Sequence, residues 1–266
     1  MLPNLLTVCV ICLLFSLAIW ILLPKLLKWR GVEFWWHTMF GPALVFDSED
    51  QDGTCVRLLN VAGTYQSVCY TDEDLLWIPV CEYHRSWAEA IDEHVQQDTR
   101  PKRALVLGGG VYSFPKWLVS ARPDVSVEVV EIDPQITEIA REWFFLDTLI
   151  DRFGEDRITI IEDDAWQVLQ NTHDTFDIIV NDVFSKNRPL GPLTTDQGAR
   201  IIRDRLKPEG IYISNVRTPL EGKGAQVLKE TQASFEQVFD HVRVIYERPE
   251  NPRTIGNNCL IAWRDE

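Results

Sequence analysis

An apolar run that stops at three consecutive glycines constrains this chain more than any other feature. Ala104–Leu107 leads into Gly108-Gly109-Gly110, a helix-like segment follows, and a second apolar run, Val125–Val130, closes on Glu131-Ile132-Asp133. The order reads as strand, tight turn, helix and strand, with an acid where the second strand ends. Glycine allows backbone conformations and close approaches that a Cβ forbids, and an acid about twenty residues after the turn is placed to accept from ribose hydroxyls. The expectation is a site for a nucleoside-bearing cofactor. Ser113 stands where a dinucleotide fingerprint has its third glycine, and no Lys-Ser/Thr pair follows, so the turn is not a phosphate-cradling loop. The competing reading is a tight strand-to-helix turn whose glycines serve packing alone.

The front of the chain has a different character. Leu5–Leu23 carries no charge and no helix breaker. As a helix it reaches about 28 Å, close to the roughly 30 Å of a bilayer's hydrocarbon core. Pro24, Lys25, Lys28 and Arg30 follow it, and no basic residue precedes it. A secretory signal places its basic residues first and ends at a small-residue cleavage site, so the segment predicts a retained single-pass anchor. With positive charge preferring the cytoplasmic side, the soluble part is expected to face the cytoplasm from the inner membrane. Trp29, Phe34, Trp35, Trp36 and Phe40 suit either the headgroup layer or packing on the folded domain.

Net charge is −14, and the three basic residues beside the anchor make the remainder more acidic still. Phosphate contacts need a basic surface, so nucleic acid is excluded as a partner. An acidic surface can attract a cationic, polyamine-like small molecule, or simply keep the protein soluble. Cys9 and Cys12 lie within the apolar anchor, and Cys55, Cys69, Cys81 and Cys259 stand among apolar neighbours as small core residues. No His and Cys cluster has metal-ligand spacing, so no metal is expected.

Three parts are expected: an anchor with its basic flank over 1–30, an interfacial segment and small β-rich region over 31–100, and a Rossmann-like cofactor-binding domain over 101–266. In the second, Ala43–Phe46 and Val56–Val61 flank a turn with Asp52-Gly53, Thr64–Tyr70 is a third strand, and a helix covers Tyr83–His94. From Arg103 on, strand-like runs near 103–107, 126–131, 157–162, 176–181, 210–216, 241–247 and 258–264 alternate with helical ones near 112–121, 134–145, 164–171, 194–206 and 222–238. That alternation predicts an α/β fold, a mainly parallel seven-stranded sheet with helices on both faces. No helix separates the last two runs, which predicts a terminal antiparallel hairpin.

In such sheets ligands sit beyond the carboxyl ends of the strands. Gly108, Gly109 and Gly110 follow the first strand. Glu131 follows the second, with two oxygens for two ribose hydroxyls, while Asp133 before Pro134 reads as a turn or helix-cap residue. Asp163, Asp164 and Ala165 follow the third, where an acid can accept from an adenine amino group; both aspartates are equally good helix caps. Asp182 follows the fourth, where a carboxylate can orient an amine or take its proton. Its alternative is a surface pair with Lys186 or Arg188.

The chain resembles the spermidine synthase-like branch of the class I S-adenosylmethionine-dependent transferases, in particular bacterial homologues joined to membrane segments. The residues that carry the likeness are Thr64-Tyr65-Gln66-Ser67, Glu82-Tyr83-His84, Leu107–Gly110, Val130–Pro134, Asp164-Ala165, Phe176–Asp182, Leu193–Thr195 and Leu206–Gly210. The resemblance implies S-adenosylmethionine or its decarboxylated form as co-substrate. Glu131 would hold the ribose, Asp164 the adenine, and Gln66 would contact the cofactor. Asp182 would be the catalytic acid's counterpart, with Tyr83, His84 and the position of Ser185 near the acceptor. Relatives of this kind often pair, which implies a homodimer.

Two departures stand out. The family usually shows an acid after the three glycines, and here Val111 and Tyr112 follow them; it also carries Asp-x-x-Asp-Pro where this chain has Asp182-Val-Phe-Ser185-Lys186. These changes weaken the sites for a decarboxylated donor and a cationic acceptor. The sequence therefore leans toward methyl transfer to an unknown acceptor, ahead of aminopropyl transfer in polyamine synthesis and of a non-catalytic cofactor-binding scaffold.

Overall fold

Apolar runs that can be buried on both faces became the central strands. The computed structural model of the chain describes residues 5–94, 102–185, 188–189 and 191–265. A first helix, α1 (Leu5–Trp29), continues through Pro24 rather than ending before it, and by length and composition its Ile11–Trp29 stretch suits a membrane span. Four strands then form an antiparallel meander: β1 (Val32–Thr38), β2 (Gly41–Glu49), β3 (Cys55–Val61) and β4 (Thr64–Tyr70). β1 was not foreseen as a strand. Its Phe34, Trp35 and Trp36 are half-buried in the small sheet, Trp20 of α1 stacks on Trp36 at 6.3 Å, and Trp29 and Phe40 are exposed.

Helix α2 (Glu82–His94) buries His84, Trp87 and Ile91, three positions spaced along one face. The main sheet follows, with β5 (Arg103–Leu107), α3 (Ser113–Ala121), β6 (Ser126–Glu131), α4 (Pro134–Trp143), α5 (Leu146–Phe153), β7 (Ile158–Glu162), α6 (Ala165–Asn171) and β8 (Phe176–Asn181). A two-stranded ribbon, β9 (Phe184–Ser185) with β10 (Arg188–Pro189), leads to α7 (Asp196–Arg205), β11 (Leu206–Thr218), α8 (Gln226–Glu236), β12 (His241–Ile245) and β13 (Gly256–Trp263). The helix expected over 134–145 is shorter and has a neighbour, α5, because Phe145 takes a left-handed conformation (φ 62°) that breaks the turn between them.

The seven strands are ordered β12-β13-β11-β8-β5-β6-β7. β11, β8, β5, β6 and β7 are parallel neighbours, whereas β13 is antiparallel to both β11 and β12. The expected terminal hairpin is present, but its second strand lies inside the sheet. One edge of the sheet therefore collects the carboxyl ends of β5, β6, β7, β8, β11 and β12 together with the start of β13. α2, α3 and α5 cover one face around Trp87, Phe114, Leu118 and Leu149, and α6, α7 and α8 cover the other around Leu169, Ile202 and Phe235. The small sheet packs Ala43, Val45, Leu59 and Val61 against Val111, Ile136 and Phe144, so it sits beside the glycine turn.

Candidate active site

One half of the candidate site begins where β5 ends. Gly108 has φ 88°, and its amide donates to Val130 O at 2.8 Å. A Cβ on Gly109 would meet Tyr112 Cζ and Val129 Cγ1, both at 3.1 Å. The glycines are thus demanded by the protein's own packing as well as by any ligand, which gives the packing reading real content. The turn is also held from the small sheet: Ser67 Oγ accepts from Val111 N at 3.4 Å and Ser113 Oγ donates to Val68 O at 2.6 Å.

Glu131 lies across this turn, 7% exposed. Its Oε2 accepts from Gly109 N at 3.0 Å and Gly110 N at 2.9 Å, and its Oε1 from Asp133 N at 3.0 Å. Burial pushes its pKa up, and those three amides pull in the opposite direction. A carboxylate offers about four acceptor positions, so with three used a grip on two ribose hydroxyls requires the glycine amides to yield one. Asp133 is fully buried and caps α4 through Gln135 N at 3.0 Å, as its place before Pro134 predicts; its other oxygen accepts from Met39 N at 2.6 Å in the β1–β2 turn.

Beyond β7, Asp164 Oδ1 accepts from Gln167 N at 3.0 Å and caps α6, while Asp163 Oδ1 accepts from Asp164 N at 2.7 Å. Asp164 is the cap residue, with a second oxygen left at the rim, and Asp163 supports its backbone. Ala165 is buried at the start of α6. Gln66 is exposed on β4, where Leu59 pairs with Ser67 and Asn60 with Tyr65. Gln66 is thus the extra residue of a bulge, a device that re-aims a side chain.

The other half of the candidate site is built around Asp182. Its amide donates to Leu107 O at 2.8 Å, tying it to the glycine turn. Its Oδ2 accepts from Tyr83 OH at 3.1 Å and lies 3.6 Å from His84 Nε2; its Oδ1 accepts from Asn215 Nδ2 at 3.0 Å. The partners of Asp182 among the described residues are inward, on α2 and β11; the side chain of Arg188 lies outside the described residues. Lys186 lies outside the described residues. Tyr83 is pushed well above the usual phenol range by burial and then by the Asp182 charge. His84 is buried, with Tyr83, Trp87 and Phe114 at 4.1, 5.0 and 5.5 Å. Ser185 follows in β9, where its backbone pairs with Arg188. Asn215 was missed because it belongs to none of the motifs above, and Ser67, though within the Thr64–Ser67 motif, was not singled out for the site.

Glu131, the glycine turn and Asp182 thus share one edge of the sheet, with a nucleoside-type acid on one side and a hydrogen-bonded carboxylate on the other. Residues 83–251 match the spermine/spermidine synthase domain family. The chain belongs to that family. A probable polyamine aminopropyl transferase of Bifidobacterium longum is 28% identical over 49% of this chain and 28% of its own length. The chain spans about half the length, or less, of the first curated relatives it matches. A probable spermidine synthase of Corynebacterium glutamicum has the same fold, with a TM-score of 0.69 and 23% identity over 86% of this chain and 79% of that one. A spermidine synthase solved with the transition-state analogue AdoDATO superposes with a TM-score of 0.61 and 20% identity, over 83% of this chain and 70% of that one. The curated relatives are named polyamine aminopropyltransferases, which matches the second of the sequence readings and not the methyl transfer toward which Val111 and Ser185 pointed.

Proposed function

We propose that this chain moves an aminopropyl group from decarboxylated S-adenosylmethionine to an amine acceptor, as a polyamine-forming transferase held at the membrane by α1. The observation that carries this reading is Asp182, held at the sheet edge by Tyr83 and Asn215 with its backbone tied to the glycine turn. In the proposed step the acceptor nitrogen attacks the propyl carbon bonded to sulfur. A C–N bond forms, the C–S bond breaks, and its electron pair stays on sulfur, which leaves as a neutral thioether. The nitrogen's proton passes to the Asp182 carboxylate. Alignment of the two partners supplies most of the acceleration, so the sheet edge acts by holding them.

On this reading Glu131 takes a ribose hydroxyl, Asp164 and Ala165 meet the adenine beside Asp163, and Gly108–Gly110 and Gln66 border the rest of the donor. Tyr83 and His84 orient Asp182 toward the acceptor, with Ser185 at its outer rim. Calorimetric titration of the full chain in detergent, with the carboxylated and decarboxylated donors in turn, tests the proposal. Tighter binding of the decarboxylated form is expected. Preference for S-adenosylmethionine would turn the reading to methyl transfer, and binding of neither by folded protein would leave a scaffold.

A further inference from the structure

The small sheet doubles back along the apolar helix that precedes it. Two contacts join them: Lys28 Nζ lies 3.3 Å from Glu33 Oε1, and Trp20 stacks on Trp36 at 6.3 Å. Eight helical residues rise about 12 Å and three strand residues about 10 Å, so α1 and β1 keep pace while running in opposite directions. The alternation of β1 serves both sides. Trp35 packs into the core of the small sheet, while Phe34 and Trp36, edge to face at 4.5 Å, share the face on which Trp20 stacks. Leu23, Pro24 and Leu27 of α1 are half-buried, whereas Ile11, Leu14 and Phe15 are exposed.

This arrangement changes what a bilayer must cover. The part of the described helix ahead of the Trp20 contact, Leu5–Ile19, is about 22 Å long, against roughly 30 Å of hydrocarbon. The near side of the bilayer is then shared between the following turns of α1 and whatever lies beside them. Beyond Trp36, and so on the charge-free side of Trp20, lies the β1–β2 turn. Its Met39 and Phe40 are 61% and 52% exposed, at positions where turns ordinarily carry Gly, Asn, Asp or Ser. The turn is firmly held: Met39 N donates to Asp133 Oδ2 at 2.6 Å, Thr38 Oγ1 donates to Gly41 O at 2.7 Å, and a Cβ on Gly41 would stand 3.1 Å from Ala62 Cβ. Two large apolar side chains are thus displayed on a fixed scaffold. A net charge of −14 gives the protein no attraction to anionic headgroups, so apolar burial has to carry any contact made here.

We propose that the β1–β2 turn is a second membrane contact, with Met39 and Phe40 seated in the interfacial layer of the bilayer that α1 enters. Two side chains are too few to hold the domain by themselves; α1 remains the anchor, and the turn fixes how the domain sits on the surface. Asp133, which grips the turn, also donates its amide to Glu131 Oε1 at 3.0 Å. The contact therefore brings the candidate ribose-binding acid close to the membrane. The inference rests on α1 entering the bilayer and adds a surface that α1 alone does not require.

The test is hydroxyl-radical footprinting of the full chain in phosphatidylcholine nanodiscs that hold one chain each. Met39 and Met1 are the only methionines, so oxidation of Met39 is read by mass spectrometry without overlap, and exposed Tyr246, outside the small sheet, is the internal reference. In the inserted chain Met39 is expected to oxidise about tenfold more slowly than in the urea-unfolded chain, with Tyr246 little protected. High salt should leave that protection in place. Phe40→Asp should return Met39 to the rate of an exposed residue with the unfolding midpoint unchanged. Full reactivity of Met39 in the inserted wild type would overturn the inference and leave α1 as the anchor. Protection that survives Phe40→Asp, or that salt removes, would overturn it too, and a lowered midpoint would make Phe40 a packing residue with the same result. Failure of the folded chain to insert would overturn the anchor and this contact together.

Discussion

A Cβ placed on Gly108 would stand 2.9 Å from the carbonyl oxygen of Asp182. The glycine turn and the proposed catalytic strand end thus touch through backbone, with no side chain between them. Gly108 also has φ 88°. Gly108→Ala is therefore expected to strain its own backbone and push Asp182 outward, at a cost of about 1–3 kcal/mol. Chemical denaturation measures the stability loss. A variant as stable as wild type would show that this contact is not tight.

The two halves of the site separate by substitution. Glu131→Ala removes the acceptor for three amides as well as the proposed ribose partner, so donor binding should be lost in a calorimetric titration. Asp182→Asn should leave donor affinity near that of wild type and lower kcat by about 10²- to 10⁴-fold. Full turnover by Asp182→Asn would remove it from the chemistry.

Acid sensitivity has a named contributor at the far end of β8. Burial by itself would raise the Asp177 pKa, but Lys207 and the amides of Arg103 and Lys102 outweigh it and hold the group below 3.8. Because the folded-state value is depressed, Asp177 stabilises the protein above the unfolded pKa, and that stability is lost as pH falls through the folded one. Asp177→Asn should cost about 1–2 kcal/mol at neutral pH. The gap to wild type should close as pH falls below 3.8, which urea melts at several pH values will show.

Removing residues 1–30 should release the protein from the membrane fraction with donor affinity intact. β1 begins at Val32, and the small sheet packs on α4 through residues outside α1. Fractionation and a donor titration check this. Retention of the shortened chain in the membrane would assign the attachment elsewhere.

The central strands were legible because parallel strands buried on both faces appear as unbroken apolar runs, as in Ala104–Leu107 and Ile178–Val180. β1 was not, since the aromatic cluster in VEFWWHT suits a membrane interface as well as a pleated sheet. β11 begins at Leu206, four residues ahead of the expected 210: Leu206 already pairs with Phe176, and the ladder resumes at Ile211 after an irregularity in which Glu209 takes φ 62°, a break that a Lys-Pro-Glu-Gly stretch does not announce as strand. In the site, Glu131 and Asp182 could be found because each directly follows an apolar run. Asn215 and its neighbour Asn257 could not: they come from different strands, and only the placement of β13 between β11 and β12 brings them together.

That placement sets an order of events during synthesis. β11 and β12 are made before the strand that must lie between them. Until Gly256–Trp263 has left the ribosome, β11 presents a bare hydrogen-bonding edge and Asn215 has no Asn257 beside it. The side of the sheet from β5 to β7 is contiguous in sequence and needs no such wait. A nascent chain halted before Gly256 would hold an open strand edge of the kind that recruits foreign strands, so translation stalled at that point would yield a sticky product.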